Sequence, residues 1–300
     1  MILPKQTQFR RMLRYLGWPL VIFLVWDIAI VIGYTLLNGD HANVFPTLPW
    51  PLLGAALVLF LGFRNTSAYA RWWEARTLWG SMVNTSRSFG RGVLHFIEGD
   101  TPGRQLQRRL IGRQIAYVHA LRCTLRRQPP WEEIAPFLTA AERQRLEGQA
   151  NLPNAILNGS AALLAEAARR GLLGEMRHTA LEARLVEMSN AQGGMERIKN
   201  TPLPRQYTFF PRFFAQVFCA LLPIGLVDDL GFYTPLASGV VGFMILAMER
   251  IGADMQDPFE NTANDVPLTA ICRTIEIDLQ QALGEQAAPP PLQPVGDVLW

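Results

Sequence analysis

The chain has 300 residues, 49% of them apolar, and a formal net charge of +3, with a mean hydropathy of +0.11. That is too greasy for a typical soluble domain and too polar for a bundle held wholly in lipid, so a membrane part joined to a soluble part is expected. The near-neutral charge, without a long basic run, excludes a nucleic-acid partner and suits a protein that faces anionic lipid.

Residues 15–37 form the first apolar run, broken only by Asp27 and preceded by Lys5, Arg10, Arg11 and Arg14. The run is too long for a signal peptide and no small-x-small cleavage pattern follows, so it is expected to remain as a first span. Further runs cover 50–63, 213–227 and 231–248. Most are shorter than the roughly 20 residues that cross a bilayer. The second has a remedy: from Arg64 to Gly80 there is no proline, and no glycine until the end. One helix can therefore leave the membrane and run on into water. Charge alternates at every crossing. The start is basic, 38–49 has no lysine or arginine, Arg64, Arg71 and Arg76 follow the second run, and Arg205 and Arg212 precede the third. Only Asp228 and Asp229 stand between the third and fourth, and Arg250 follows the fourth. By the positive-inside rule both termini, and everything from about Arg64 to Arg212, are cytoplasmic.

That inner stretch reads as helices. Gly99-Asp100-Thr101-Pro102-Gly103 punctuates it as a loop, and Pro129-Pro130 breaks the pattern again. Thr139-Ala140-Ala141-Glu142 is a capping box ahead of a short helix. Residues 154–170 and 175–199 are further helical stretches, and 269–283 is amphipathic. A proline-rich segment, 288–294, reads as an extended or disordered tail. No strand-like alternation of useful length and no internal repeat is present, so the fold class is all-α. The expected divisions are 1–66 (N-terminal segment and spans one and two), 67–210 (cytosolic helices), 211–250 (spans three and four), 251–287 (a C-terminal helical segment) and 288–300 (the tail).

Enzyme signatures are absent. His41, His95, His119 and His178 lie in unrelated contexts, none at metal-ligand spacing from a second histidine, a cysteine or a carboxylate, and each reads as structural. There is no phosphate-binding glycine loop and no Gly-x-Ser-x-Gly elbow. No cofactor is expected. Cys123, Cys219 and Cys272 match no zinc or redox spacing and read as reduced thiols that pack as small apolar groups.

Ala55, Leu59 and Phe63 recur every four residues and share one helical face, with Leu57, Phe60 and Leu61 opposite. By spacing alone the plainer assignment, a face toward lipid or core, is preferred over the wall of a dry constriction. Asp27 sits where a carboxylate costs a few kcal/mol, and three assignments stay open: a bond to a neighbouring helix, a water-filled region, or an interface. Asp228 and Asp229 make an ordinary solvated turn unless the chain forms a ring, in which case they form a negative mouth. Asp254, Asp257, Glu260, Asn261, Asn264 and Asp265 cluster after the fourth run, without EF-hand spacing. Capping around Pro258 is preferred to calcium there.

Three blocks together resemble the bacterial bestrophins. The first is Leu61-Gly62-Phe63-Arg64-Asn65 with Arg71-Trp72-Trp73-Glu74-Ala75-Arg76 and Leu78-Trp79-Gly80. The second is Asn200-Thr201-Pro202-Leu203-Pro204 with Tyr207-Thr208, and the third runs from Asp257-Pro258-Phe259-Glu260-Asn261 through Ala263-Asn264-Asp265-Val266-Pro267-Leu268. They occur in the family's order and cover nearly the whole chain. The resemblance implies a homopentameric barrel around a central pore in the bacterial inner membrane, with lipid and permeant monovalent ions as its partners. It places Ala55, Leu59 and Phe63 in an apolar neck and Leu203, between Pro202 and Pro204, at a cytosolic exit constriction. The two prolines would fix the backbone there by locking φ. Ala55 is smaller than the family's usual bulky neck residue, which implies a wider end of the neck. The family's calcium-binding acids are replaced here by Glu260-Asn261-Thr262-Ala263-Asn264, leaving Asp257 and Asp265 as metal candidates, so calcium gating is not expected. The bacterial members' likeness to sodium channels, together with Asp228 and Asp229, leads to monovalent cation conduction as the expected activity. The alternatives are a chloride channel of the same fold, a secondary transporter, or a helical scaffold. Neither inverted repeats nor interrupted mid-membrane helices support a transporter.

Overall fold

The structure is a computed structural model that describes residues 15–36, 49–98, 101–285 and 288–300. The early basic residues Lys5, Arg10, Arg11 and Arg14, the 38–48 segment with His41 and without lysine or arginine, and Gly99-Asp100 lie outside the described residues.

In chain order the helices are α1 (Trp18–Leu36), α2 (Trp50–Phe96), α3 (Thr101–Leu125), α4 (Trp131–Ile134), α5 (Ala140–Leu146), α6 (Leu152–Arg169), α7 (Glu175–Asn200), α8 (Arg205–Leu230), α9 (Thr234–Gln256) and α10 (Leu268–Ala282). Short 3-10 turns follow α4 at Ala135–Phe137 and α8 at Gly231–Tyr233. Among the described residues the only β pairing is an isolated bridge, Val295 with Val298. The all-α expectation therefore stands.

Among the described residues three stretches are long and apolar enough to cross a membrane: Trp18–Leu36, Trp50–Phe96, and Arg205–Gln256. The last contains the expected third and fourth runs, parted only by the 3-10 turn, where Gly231 takes a left-handed φ of 48°. That conformation is cheap only for glycine, and it stops α8. Helix α2 continues beyond its apolar run, as the missing helix breakers implied, and passes Gly80 to reach 47 residues, about 70 Å. The expected loop at 99–103 does not extend to its last three residues. Thr101-Pro102-Gly103 already belongs to α3, because a proline in the first turn forfeits no helical hydrogen bond.

The chain divides into two compact units. The apolar unit holds the described residues of Pro4–Trp72 together with Pro202–Asp257. Leu16 and Leu20, Leu57 and Leu61 of α2, Ala215 and Cys219 of α8, and Ile245 and Leu246 of α9 form its core. Apolar surface removed from water or lipid contact here is reinforced by a few polar ties, because a buried polar group without a partner is costly. Trp26 Nε1 donates to the Ala220 carbonyl at 2.8 Å, and Tyr15 donates to Asp254 at 2.7 Å.

The larger unit consists of Trp73–Thr201 and Pro258–Trp300. Its axis is α3, on which every residue from Arg113 to Cys123 is buried. A helix covered all round must be central, and α3 is flanked by α4, α6, α7 and α10. Its polar side chains therefore need partners inside the unit. Gln114 donates to Ser86 at 2.9 Å, and Tyr117 donates to the Met188 carbonyl at 3.2 Å. The predicted capping box forms at the start of α5, with Thr139 and Glu142 bonded reciprocally. The proline-rich tail has no helix, but it does not trail away: the Trp300 carbonyl accepts from Ala270 N at 2.7 Å, which satisfies one orphan donor in the first turn of α10.

Candidate functional site

On α2 the two helical faces differ sharply. Leu57, Leu61, Arg64 and Ala68 are buried, while Leu59 and Phe63 are each 61% exposed and Ala55 is also exposed. The sequence pattern thus resolves into an anchored face and an uncovered apolar stripe. Leucine and phenylalanine left open in this way mark a surface meant for lipid, another protein copy or a dry passage. Beside the stripe, α2 and α8 enclose an apolar groove of about 400 Å³ with Trp50, Phe60, Phe214 and Phe218 in its walls.

Leu203 and Asp228-Asp229 stand at opposite ends of α8. Pro202, Leu203 and Pro204 precede its first turn in non-helical backbone; the prolines are exposed and Leu203 is half-buried. Asp228 and Asp229 lie in its last turn, exposed. At 26 residues, α8 separates these two sets by about 39 Å.

The two metal candidates each have a local structural role. Asp265 is buried, and its carboxylate accepts from the Thr262 N–H at 3.2 Å and from the Thr262 hydroxyl. Burial pushes its pKa up, while these bonds pull the other way. It closes a turn in which Asn261 has a φ of 63°. Asp257 follows the last residue of α9 as its C-cap. Among the described residues no group of three His, Cys, Asp or Glu side chains is arranged to hold a metal ion.

Among the described residues of the larger unit, buried charged clusters join groups too far apart in the chain for spacing to reveal. In one, Arg113 of α3 donates to Glu142 at 2.7 Å, to Ser160 at 3.1 Å and to the Ile156 carbonyl at 2.6 Å. In the other, His119 Nε2 lies 3.2 Å from Glu276 of α10, its ring stacks on Phe137 at 6.1 Å, and Arg122 pairs with Glu133 at 2.7 Å. His119 is thus a core histidine held by carboxylates.

Comparison with known proteins decides the family. A family model described as "Bacterial/Fungal Bestrophin protein" matches residues 10–281. The chain belongs to the bacterial/fungal bestrophin family. This bestrophin is 36% identical to the voltage-dependent anion channel-forming protein YneE of Salmonella typhi, over 90% of this chain and 87% of that one. It is also 36% identical to YneE of Escherichia coli K12, over 92% and 89% of the two chains. A voltage-dependent anion channel-forming protein of Ralstonia nicotianae is 33% identical, over 94% of each. In structure, this bestrophin resembles a crystallised bacterial bestrophin homolog from Klebsiella pneumoniae, with a TM-score of 0.84 and 29% identity, over 90% of this chain and 98% of that one. Family membership and the apolar helices together make the chain a membrane protein, and the resemblance read from the three sequence blocks is correct.

Proposed function

We propose that this bestrophin is an ion channel that passes monovalent anions, with five copies arranged around a central pore. The observation that carries the pore is the uncovered stripe of Ala55, Leu59 and Phe63. An apolar face left open on a helix whose other face is anchored in the core needs a use, and a ring of five would turn it inward as a narrow neck. The half-buried Leu203, held between Pro202 and Pro204, would form the second constriction. The described residues of 1–66 and 211–250 would make four spans in the inner membrane, with both termini and the remaining helices in the cytoplasm.

Anion rather than cation passage is favoured because relatives sharing 36% of their residues across nearly the full chain are named as voltage-dependent anion channel-forming proteins. The expectation of sodium conduction finds no such support. One observation keeps cation passage as a second reading: Asp228 and Asp229 are exposed, and five copies would make a negative mouth. The relatives' names also agree with the expectation that the chain is not an enzyme.

The test is the reversal potential of the purified protein in planar bilayers under a NaCl gradient. A value near the chloride equilibrium potential is expected, and one near the sodium potential moves the assignment to the second reading. Mass measurement in detergent tests the ring, since a monomer has no central pore.

A further inference from the structure

We propose that Arg64, together with its partner Glu249, is a selectivity-determining pair: a fixed charge set directly behind the neck stripe. The inference deepens the proposed channel function and rests on that reading for the position of the pore.

Arg64 is 1% exposed and follows Phe63, the last residue of the stripe. It lies about 100° round the helix from Phe63, on the buried face with Leu57, Leu61 and Ala68. Its Nη1 donates to the Glu249 backbone carbonyl at 2.9 Å and meets the Glu249 carboxylate at 3.4 Å. Nε and Nη2 have no hydrogen-bond partner among the described residues. The guanidinium sits against α9: a Cβ built on Gly252 would lie 3.3 Å from Nη1. The neighbouring Asn65 ties the same two helices by donating to the Met248 carbonyl at 2.9 Å.

A guanidinium so deeply enclosed ordinarily has its donors satisfied, and it cannot shed its charge. Here it is matched by one carboxylate through one long contact. Arg250 and Asp254, further along α9, pair with each other at 3.2 Å. A helix is about 10 Å thick, so the charge stands at roughly that distance behind the apolar stripe, screened by protein rather than by water. In a ring of five, five such charges surround the inner end of the neck. They favour anions there to the extent that Glu249 leaves them uncancelled. The apolar neck has no formal charge of its own, so charged groups behind it can act on the sign of the passing ion.

The test compares chloride-to-sodium permeability ratios, from reversal potentials in planar bilayers, for the unaltered protein, Glu249→Gln, and Glu249→Gln combined with Arg64→Gln. Glu249→Gln keeps an oxygen acceptor and the backbone bond to Nη1, so the helices remain tied. It is expected to raise the ratio on the order of threefold to tenfold, and the double variant is expected to lose that gain. Arg64→Lys, which keeps the charge, stays close to the unaltered ratio. If the ratio is unchanged in Glu249→Gln, or if the double variant retains the gain, the pair does not set selectivity. The unaltered protein's own ratio tests anion passage, whereas the shifts between variants test Arg64, so either can fail without the other.

Discussion

The Ser238 hydroxyl donates to the Asp27 carboxylate at 2.6 Å, joining α9 to α1 across 211 positions of sequence. Asp27 is 2% exposed. Of the assignments that its position in an apolar run left open, the helix-to-helix bond is the one that forms. Removing the donor strands a buried carboxylate, so Ser238→Ala should lower stability by about 1–3 kcal/mol, whereas Ser238→Thr should retain most of it. Thermal unfolding in detergent, read by circular dichroism, is the check. Equal midpoints for Ser238→Ala and the unaltered protein would show that the bond contributes nothing.

The neck assignment predicts a gain rather than a loss. Leu59 and Phe63 bury little of their surface in the protomer, so truncating either should change protomer stability by less than about 1 kcal/mol. In the assembled ring Leu59→Ala or Phe63→Ala should widen the dry constriction and raise single-channel conductance. Unchanged current in both variants contradicts a neck at this stripe.

The Arg113–Glu142 cluster should make the larger unit sensitive to acid. Burial works against ionisation of Glu142, but the backbone and hydroxyl of Thr139 and the Arg113 guanidinium outweigh it, and its pKa falls from the ordinary 4.5 to about 2. A carboxyl whose folded pKa is depressed adds stability above its unfolded pKa. That stability, about 3 kcal/mol at most, is lost as the pH falls from about 4.5 to 2. Urea unfolding across this range should show the loss, and Glu142→Gln should flatten that part of the profile. Arg113→Ala, which leaves Glu142 buried without its main partner, should cost about 3–5 kcal/mol at neutral pH.

A glycine beside the same cluster supplies an independent check. A Cβ at Gly159 would lie 2.9 Å from Arg113 Cζ, and the guanidinium cannot move aside without breaking its bonds. Alanine normally gains about 1 kcal/mol over glycine within a helix. At Gly159 the sign should reverse, and stabilisation by Gly159→Ala in the same urea experiment would be the contrary result.

The thiols should be inert. Cys123, Cys219 and Cys272 are all free and buried. In the larger unit, burial pushes Cys272 up to about 12 although Arg122 and Arg126 pull it down. Only the thiolate reacts at an appreciable rate. Iodoacetamide at pH 8 should therefore label Cys272 in the native protein far more slowly than after unfolding in urea, measured by mass spectrometry of the peptides. Equal rates would mean that this core opens freely.

Local patterns carried much of this structure in the sequence itself. The capping box at Thr139 and Glu142, the unbroken helix beyond Arg64, the apolar runs and the Ala55-Leu59-Phe63 stripe all depend on neighbours within a few turns. Spacing and propensity determine such features directly. What spacing could not decide was which face of α2 would be covered. That followed from contact with α8 and α9, residues about 150 to 190 positions away. The same holds for Arg64, which reads in sequence as one more positive charge after a span and proves to be enclosed against Glu249. Asp27 and Ser238, Arg113 and Glu142, and His119 and Glu276 are likewise polar groups whose burial is tolerable only because a distant segment supplies the partner. The sequence by itself determined an all-helical membrane chain with an apolar stripe. Tertiary structure alone decided which charges are buried and what holds them, because desolvation and pairing depend on distance in space rather than on distance along the chain.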